Sequence, residues 1–437
     1  MNNILIFTPK ICNRIKYTFK LYFQELLGVD ITFTTNSDEF IDYQYIKINY
    51  SELDFGDELF FGASNLLFET NIREQDLKFI DFEKHTAFFI ISNKKSCLPF
   101  DPFAAGFYLV SRYEEYLPYI KDQYGRFSAE QSIAYKHYFL KKPLINIWAL
   151  KIAAIIKNKY PDFKICNNKF QFIPTLDIDC AYAYKLKGII RTIGGYLKSV
   201  RNLDFKDIIE RTKVISGLGK DHFDTYDFQY EMQKKYKLHP IYFVLFAEYG
   251  DFDKNIPLNN RKFHSLIKML GDEAEVGIHP SYASNDDIRV LKQEIEKLSK
   301  VLNRQISKSR QHFLKLNLPH TYRNLIDLDI TDDYTMGYAS EIGFRASICN
   351  AFYFYDLELD IETNLKIHPF AFMEGTLRDY LNIHSDKALN YIKPLIDEVK
   401  TVNGTFICLW HNESLSNQRR WVGWKEVYEE TIKYAVK

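Results

Sequence analysis

Short apolar runs alternate with helix-like segments along the second half of the chain. The runs "FQFIPTLDID", "HPIYFVLFAE", "EVGIHPS" and "GTFICLWHN" have the length and composition of buried strands. Between them, "DDIRVLKQEIEKLSKVLNR" repeats apolar residues every three or four positions, as an amphipathic helix does. Strands that alternate with helices favour parallel βα units, so we expect an α/β fold with a barrel or a doubly wound sheet.

The first 165 residues have a mixed α/β pattern of their own. "NILIFTP" is typical of a strand, and "RIKYTFKLYFQELLG" of a helix that ends at Gly28. In "FDPFAAGFYLVSRYEEYLP", Asp101 is placed to be an N-cap and Pro102 the first helical residue, and the helix is expected to run until Pro118. A further helix ends at Pro161, before the polar stretch "DFKICNNK". We therefore predict a smaller domain over residues 1–165 and a second domain over residues 166–437.

Charge and composition narrow the choice of function. The chain has 57 Lys and Arg residues against 57 Asp and Glu residues, so its summed charge attracts neither nucleic acid nor an anionic membrane over long range. Its six cysteines form no CxxC pair, which indicates reduced thiols. The pattern contains no signal peptide and no long uncharged apolar stretch, so we expect a cytoplasmic protein without an integral membrane segment.

Polar, chemically capable side chains follow the predicted strands of the second domain. In a parallel α/β barrel, such side chains meet at one mouth, formed by the carboxyl ends of the strands. We therefore expect these residues to form one site. They are Asp177, Asp179, His279, Arg310, His312, His368 and His411.

Asp177 and Asp179 are the centre of this predicted site. Residues i and i+2 of a strand point to the same face, and two carboxylates so close repel each other unless a cation or a proton lies between them. Capping of a following helix is the alternative, but one aspartate would suffice for that. A divalent metal held by one carboxylate and imidazoles, with the other carboxylate free as a base, fits zinc or another first-row ion. Such a centre hydrolyses amides or esters.

Five segments, in this order, resemble the motifs of the polysaccharide deacetylase superfamily: "TLDIDCAYAYK", "VGIHPSYAS", "SRQHFLKLNLPHTY", "GYASEIGFRASI" and "FICLWHNESL". They are most similar to a bacterial branch with an extra N-terminal domain. The resemblance implies a distorted (β/α) barrel in the second domain. It also implies Asp177 as the catalytic base, Asp179 and His279 as metal ligands, Arg310 as the residue that orients the base, and His411 as the group that protonates the leaving amine.

One departure from this pattern concerns the third metal ligand. The family usually has a second histidine four residues after the first, but this chain has Ala283 there. His312, beside Arg310, is our replacement candidate. Four residues are predicted to bind substrate: His368 from the set above, and Tyr282, Arg345 and Glu374.

The function expected from these residues is that of a metal-dependent carbohydrate deacetylase, with zinc as the first choice of ion. Its substrate would be an intermediate of surface polysaccharide synthesis, such as a lipid-linked or nucleotide-linked glycan. Two alternatives remain open. One is a glycosyltransferase whose Asp177-x-Asp179 motif binds a metal ion bridging the diphosphate of a nucleotide sugar. The other is a glycan-binding relative without catalysis, which the alanine at position 283 suggests.

Overall fold

The structure is a computed structural model that describes residues 3–166 and 168–437 of the 437-residue chain. Its N-terminal part contains a four-stranded sheet in the order β2-β1-β3-β4, all of whose pairings are parallel. The strands of this part are β1 (Asn3–Phe7), β2 (Asp30–Thr34), β3 (Lys47–Ser51), β4 (Leu59–Gly62) and the antiparallel pair β5 (Phe79–Phe82) and β6 (His85–Phe88). Its helices are α1 (Asn13–Phe19, continued by a π-helix over Lys20–Leu26), α2 (Ser37–Asp42), α3 (Pro102–Val110), α4 (Ile133–Lys136) and α5 (Leu144–Lys159).

The C-terminal part is built around a nine-stranded sheet in the order β12-β13-β11-β10-β9-β8-β7-β15-β14. Its strands are β7 (Gln171–Ile178), β8 (Ile241–Leu245), β9 (Glu275–His279), β10 (Lys308–Ser309), β11 (Asp332–Asp333), β12 (Phe352–Asp356), β13 (Ile361–Ile367), β14 (Phe372–Met373) and β15 (Thr405–His411). Its helices are α6 (Ile189–Arg201), α7 (Phe205–Ile215), α8 (Tyr226–Tyr236), α9 (Arg261–Glu273), α10 (Ile288–Leu302), α11 (His320–Asp327), α12 (Ser385–Thr401) and α13 (Trp424–Ala435). The predicted α/β class is confirmed.

All pairings of this large sheet are parallel except that of β12 with β13. The pairings of the described residues leave β12 and β14 as edge strands, so the predicted distorted (β/α) barrel is not confirmed. The sheet is nevertheless strongly curved. Phe243 of β8 and Tyr334, which follows β11, lie three strand positions apart, a distance of about 14 Å in a flat sheet. Their ring centroids are 5.2 Å apart, across a small apolar cluster on the concave face.

Buried ion pairs connect the two predicted domains. The guanidinium of Arg345 is 1% exposed and contacts the carboxylate of Glu115 at 2.6 Å, and Arg112 binds the same carboxylate at 2.7 Å. Arg112 also donates a hydrogen bond to the carbonyl oxygen of Arg345. One apolar core runs through both parts. The boundary near residue 165 therefore stays a prediction, and the contacts across it are extensive.

No helix among residues 3–166 and 168–437 combines the length and the apolar character needed to cross a membrane.

Candidate functional site

The last residues of β7 bring two carboxylates to the concave side of the large sheet. Asp177 is 1% exposed, and Asp179 lies just beyond the strand with its side chain 36% exposed. Both approach Nε2 of His279, at 3.7 Å and 3.2 Å respectively, so they share a face as the i, i+2 spacing predicts. Neither caps a helix, because the next helix begins only at Ile189. The alternative interpretation of the pair as a helix cap does not apply.

Arg310 holds the carboxylate of Asp177 in place. Its Nη1 donates a hydrogen bond of 2.9 Å to Oδ1 of Asp177 and one of 2.7 Å to Oγ1 of Thr175. Nε donates to the carbonyl oxygen of Tyr334 at 2.9 Å, and the guanidinium lies over the ring of Phe243. Because Arg310 is fully buried, its charge is screened little by water and compensates that of Asp177. One oxygen of Asp177 is thus fixed, and the other faces the site.

Asp179, His279 and His312 form a compact group of metal-ligating side chains. One potential ligand atom from each residue lies within 4.8 Å of the others. The distance from Nε2 of His312 to Oδ2 of Asp179 is 3.6 Å. His279 comes from the end of β9, whereas His312 begins a short 3₁₀ turn after β10. The replacement candidate for the histidine absent at position 283 therefore does lie beside the other two predicted ligands.

Hydrogen bonds at the far side of each ring fix the two imidazoles. Nδ1 of His279 faces the carbonyl oxygen of Arg310, and Nδ1 of His312 lies 2.8 Å from Oδ1 of Asp253. Since a carbonyl or carboxylate oxygen can only accept, each Nδ1 carries the proton, and a neutral ring then has its lone pair on Nε2. Both lone pairs point at the carboxylate of Asp179, whose buried Oδ1 has no hydrogen-bond partner among the described residues. This arrangement of acceptors fits a bound cation.

The charged groups of this cluster shift one another's pKa values. Burial would lower the pKa of His312, but the carboxylates of Asp179 and Asp253 outweigh it and raise the pKa to about 9. Burial would raise the pKa of Asp179, yet the nearby His312 and His411 hold it well below its ordinary value. The charges of His312 and Asp179 therefore stabilise each other across the cluster.

His411, at the end of β15, completes the cluster from the other side. It pairs in register with Asp177 on the neighbouring strand, and its Nε2 lies 3.5 Å from Oδ2 of Asp179. Oε1 of Glu374 accepts from both Nδ1 and the backbone N–H of His411, each at 2.8 Å. Burial would lower the pKa of His411, but Glu374 and Asp179 raise it well above the ordinary value.

A cavity of 240 Å³ opens onto these groups. Asp177, Asp179, His279, His312 and His411 all line it. Its walls include Phe313, Arg420, Trp421 and, from the N-terminal part, Arg126. Arg126 donates a hydrogen bond of 2.8 Å to the carbonyl oxygen of Phe313. The first part of the chain therefore forms part of the wall of the site.

A family model described as a family of unknown function, DUF7033, matches residues 4–161. No curated protein matches the chain.

Three solved structures illustrate what the chain is similar to. A candidate polysaccharide deacetylase from Mycobacterium smegmatis is 12% identical, with a TM-score of 0.41 over 62% of this chain and 85% of that one. Wild-type BA3943 from Bacillus anthracis, a CE4 family pseudoenzyme, is 12% identical, with a TM-score of 0.30 over 62% of each chain. The polysaccharide deacetylase Bc1974 from Bacillus cereus is 10% identical, with a TM-score of 0.29 over 61% of this chain and 88% of that one. These similarities are too low to indicate a shared activity.

The four predicted substrate-binding residues do not line the cavity. Arg345 is buried against Glu115, as described above, and cannot contact a ligand there. Glu374 is fully buried behind His411, so its contact is with the imidazole rather than with substrate. The ring of Tyr282 lies just outside, against Phe252 and beneath Nζ of Lys315.

His368 is at the opposite end of the sheet from the site. Its Nε2 lies 2.7 Å from Oδ1 of Asp332, and its ring stacks on Tyr334. Both neighbours line a separate cavity of 1180 Å³, which is bordered by the first residues of β7 to β11. His368 follows a strand, but its imidazole turns back towards the amino ends and away from the metal-ligating group.

Asp253 and the contact of Glu374 with His411 are the features that sequence reasoning missed. Asp253 is 5% exposed in the loop "GDFDKN", where nothing distinguishes it from Asp251. Glu374 follows a two-residue strand, which is too short for alternation to predict the face on which its side chain lies. Both carboxylates orient a histidine of the site, as acidic partners of metal-ligating or catalytic histidines do.

Proposed function

We infer that this protein is a metal-dependent hydrolase that removes an N-acetyl or other acyl group from a carbohydrate. The observation that carries the proposal is the set of Asp179, His279 and His312. Two imidazoles with their Nδ1 protons fixed elsewhere direct Nε2 at one carboxylate. The second carboxylate, that of Asp177, is held apart by Arg310.

Asp179, His279 and His312 would hold the ion. One carboxylate and two imidazoles, with open positions for water and substrate, suit zinc or another first-row metal. A divalent ion in this place supplies Lewis acidity, which polarises an acyl carbonyl and lowers the pKa of a water molecule. Asp177 and His411 would carry out the proton transfers of the reaction.

Asp177 acts as the general base. Its Oδ1 accepts from Arg310, which fixes the carboxylate and leaves Oδ2 to take a proton from the attacking water. The carboxylate lies on the same face as Asp179, and both approach Nε2 of His279. Proton removal by a positioned base contributes roughly 10²- to 10⁴-fold to such reactions.

His411 acts as the general acid. Glu374 accepts the proton on Nδ1, so the proton that can be transferred is on Nε2, which faces the cavity. Glu374, which is not one of the proposed metal ligands, raises the pKa of His411 and so favours the protonated ring. Nε2 then gives its proton to the leaving nitrogen as the carbon–nitrogen bond breaks.

The carbohydrate part of the proposal rests on the resemblance of the sequence motifs to polysaccharide deacetylases. The cavity adds aromatic and charged wall residues, among them Phe313, Trp421 and Arg420. Aromatic rings and a guanidinium suit a ring-shaped, hydroxylated substrate. We expect this substrate to be an intermediate of surface polysaccharide synthesis.

Metal content and acyl release, measured together, test the proposal. Zinc-loaded protein should release acetate from N-acetylglucosamine oligosaccharides, and a chelator should stop the release. Asp177→Asn should keep its metal and lose about 100- to 10,000-fold of turnover. Glu398→Gln, a surface change outside the cavity, is the control and should be normal.

Three results would contradict this function. Normal turnover of Asp177→Asn would remove the base. Zinc binding without any hydrolysis of acylated carbohydrates would indicate a glycan-binding protein. Manganese-dependent transfer from a nucleotide sugar would indicate a glycosyltransferase.

A further inference from the structure

Helices α6 and α7 turn their apolar side chains to solvent. Ten large apolar residues of this helical pair and its connections are 46% to 87% exposed. We call them the α6–α7 patch: Ile189, Ile190, Ile193, Leu197, Val200, Leu203, Phe205, Ile209, Ile215 and Leu218. Ile189, Ile193, Leu197 and Val200 recur every three or four residues, so they form one continuous stripe along α6.

Polar contacts hold the inner side of the same pair. Asp207, which is buried, accepts from Ser199 and Arg211 there. A surface helix of a globular protein ordinarily has the reverse arrangement, with its apolar stripe against the core. A contiguous exposed apolar surface of this kind marks an interaction site.

The pair also concentrates positive charge. Residues 185–220 contain nine Lys or Arg residues against three Asp or Glu residues, a local excess of six in a chain whose formal net charge is zero. Lys198, Arg201, Lys206 and Lys213 are exposed and make no ion pair among the described residues. On the helical wheel, they flank the apolar stripe rather than interrupt it. Although the formal net charge of the whole chain is zero, this part of its surface is therefore both basic and apolar.

We propose that the α6–α7 patch docks on the surface of an anionic lipid bilayer. An amphipathic helix with an apolar face and flanking lysines lies in the membrane interface, with the apolar side chains among the acyl chains and the cations at the headgroups. Each cation near an anionic leaflet strengthens such binding. The charge of the patch selects an anionic bilayer over an apolar protein surface as the occupant.

The patch is joined directly to the candidate site. Arg419 binds Asp207 and Glu210 of α7, each at 2.8 Å, and the next two residues, Arg420 and Trp421, line the cavity. Docking would therefore hold the cavity at the bilayer surface, where a lipid-linked glycan presents its sugar. This consequence for the substrate rests on the proposed function, whereas the docking itself does not.

Co-sedimentation with vesicles tests the docking. The full chain should bind vesicles of phosphatidylcholine with phosphatidylglycerol, and bind phosphatidylcholine alone at least about tenfold more weakly. Leu197→Asp and Ile209→Asp should each weaken binding to the anionic vesicles by about tenfold or more. Ile120→Asp, at a residue that is 82% exposed outside the patch, is the matched control and should bind normally.

Charge reversal gives a second comparison. The triple change Lys198→Glu, Lys206→Glu and Lys213→Glu should abolish binding to anionic vesicles. The control is a second triple Lys→Glu variant on α9 and α10, at the exposed residues Lys262, Lys268 and Lys292. It changes the net charge by the same amount and should leave binding intact.

Further measurements distinguish a loss of vesicle docking from a loss of folding. In Phe205→Trp, tryptophan emission should shift to the blue when anionic vesicles are added. This measurement requires no substitution that destabilises the fold. Leu197→Asp should still hydrolyse a water-soluble acyl ester, so a failure of the proposed function would be visible without vesicles. Absence of vesicle binding, equal binding by all variants, or a dimer that Leu197→Asp dissociates in place of vesicle binding would overturn the docking.

Discussion

The carboxylate of Glu374 accepts two hydrogen bonds from one residue, His411, through the backbone N–H and through Nδ1, each 2.8 Å long. The double contact fixes both the position of the strand end and the rotation of the imidazole. It also leaves Nε2 as the only ring atom that can exchange a proton with the cavity. Glu374 is therefore a positioning residue for His411.

Replacement of this carboxylate should affect turnover without affecting the metal. In Glu374→Gln the shape is kept, but the charge that favours a protonated His411 is lost. We expect hydrolysis to fall by roughly 10- to 100-fold, less than the roughly 100- to 10,000-fold that loss of a general acid itself costs, with unchanged zinc content. Steady-state kinetics and metal analysis of the same samples measure both. Turnover equal to that of the wild type would show that His411 does not depend on Glu374.

Asp253 should control metal affinity through His312. Its Oδ1 accepts from Nδ1 of His312 at 2.8 Å and so directs Nε2 towards Asp179. Loss of such an outer partner typically costs 10- to 100-fold in metal affinity. We expect Asp253→Asn to weaken zinc binding by about that factor in a competition titration. Asp251→Asn, two residues away and exposed, is the control; equal affinities of the two variants would refute the role of Asp253.

Glu294 should make the stability of the fold depend on pH. Burial, with a contribution from Asp253, raises the pKa of this carboxyl to about 7, and its Oε2 accepts from the backbone of Ser281. The folded state then holds a proton that the unfolded chain releases near pH 4.3, so stability falls as pH rises from about 4 to 7. The loss is complete above pH 7 and amounts to about 3 kcal/mol at most.

Glu294→Gln removes this loss because an amide does not ionise, and the amide oxygen can still accept from the backbone N–H of Ser281. In urea denaturation, the variant should be more stable than the wild type near pH 8, with a difference that disappears near pH 4. Glu296→Gln, on the exposed side of the same helix, should show no such trend. A constant difference at every pH would contradict the assignment.

The ion pairs of Glu115 should stabilise the contact between the two parts of the chain. Arg112 and Arg345 both bind this carboxylate, and all three side chains are buried. Removal of one partner leaves uncompensated buried charge, which costs about 3 to 5 kcal/mol. Glu115→Ala should lower the free energy of unfolding by about that amount. Glu130→Ala, in the same part of the chain but exposed, should cost little; similar losses in the two variants would argue against the buried pairs.

Local signals in the sequence predicted several helix boundaries correctly. Asp101 caps α3 through the N–H groups of Phe103 and Ala104, and α5 ends at Lys159, just before Pro161. The predicted end of α3 at Pro118 is wrong, because the helix stops at Val110. Arg112 takes a left-handed conformation, with φ of 54°, that brings its guanidinium to Glu114 and Glu115. Arg112 also donates to the carbonyl oxygen of Arg345 and the hydroxyl of Tyr338, partners far along the chain that local helix signals do not contain.

The site residues likewise divide into those whose position the sequence predicts and those whose position it does not. Asp177, Asp179, His279 and His411 follow strands long enough for alternation to predict their face. His312 reaches Asp179 through a 3₁₀ turn after a two-residue strand, so its position depends on turn geometry. Arg345 and His368 lie in equally suggestive motifs, yet their side chains find buried or distant partners. Only the folded structure distinguishes His312, which joins the site, from Arg345 and His368, which do not.

Anomalous diffraction at the zinc edge, from a crystal soaked in zinc, tests the central claim most directly. The account predicts a peak about 2.0–2.2 Å from a carboxylate oxygen of Asp179 and from Nε2 of both His279 and His312. It predicts that Asp177 stays outside the coordination sphere. No peak at these three residues under saturating zinc, or a peak bound through other side chains, would contradict it.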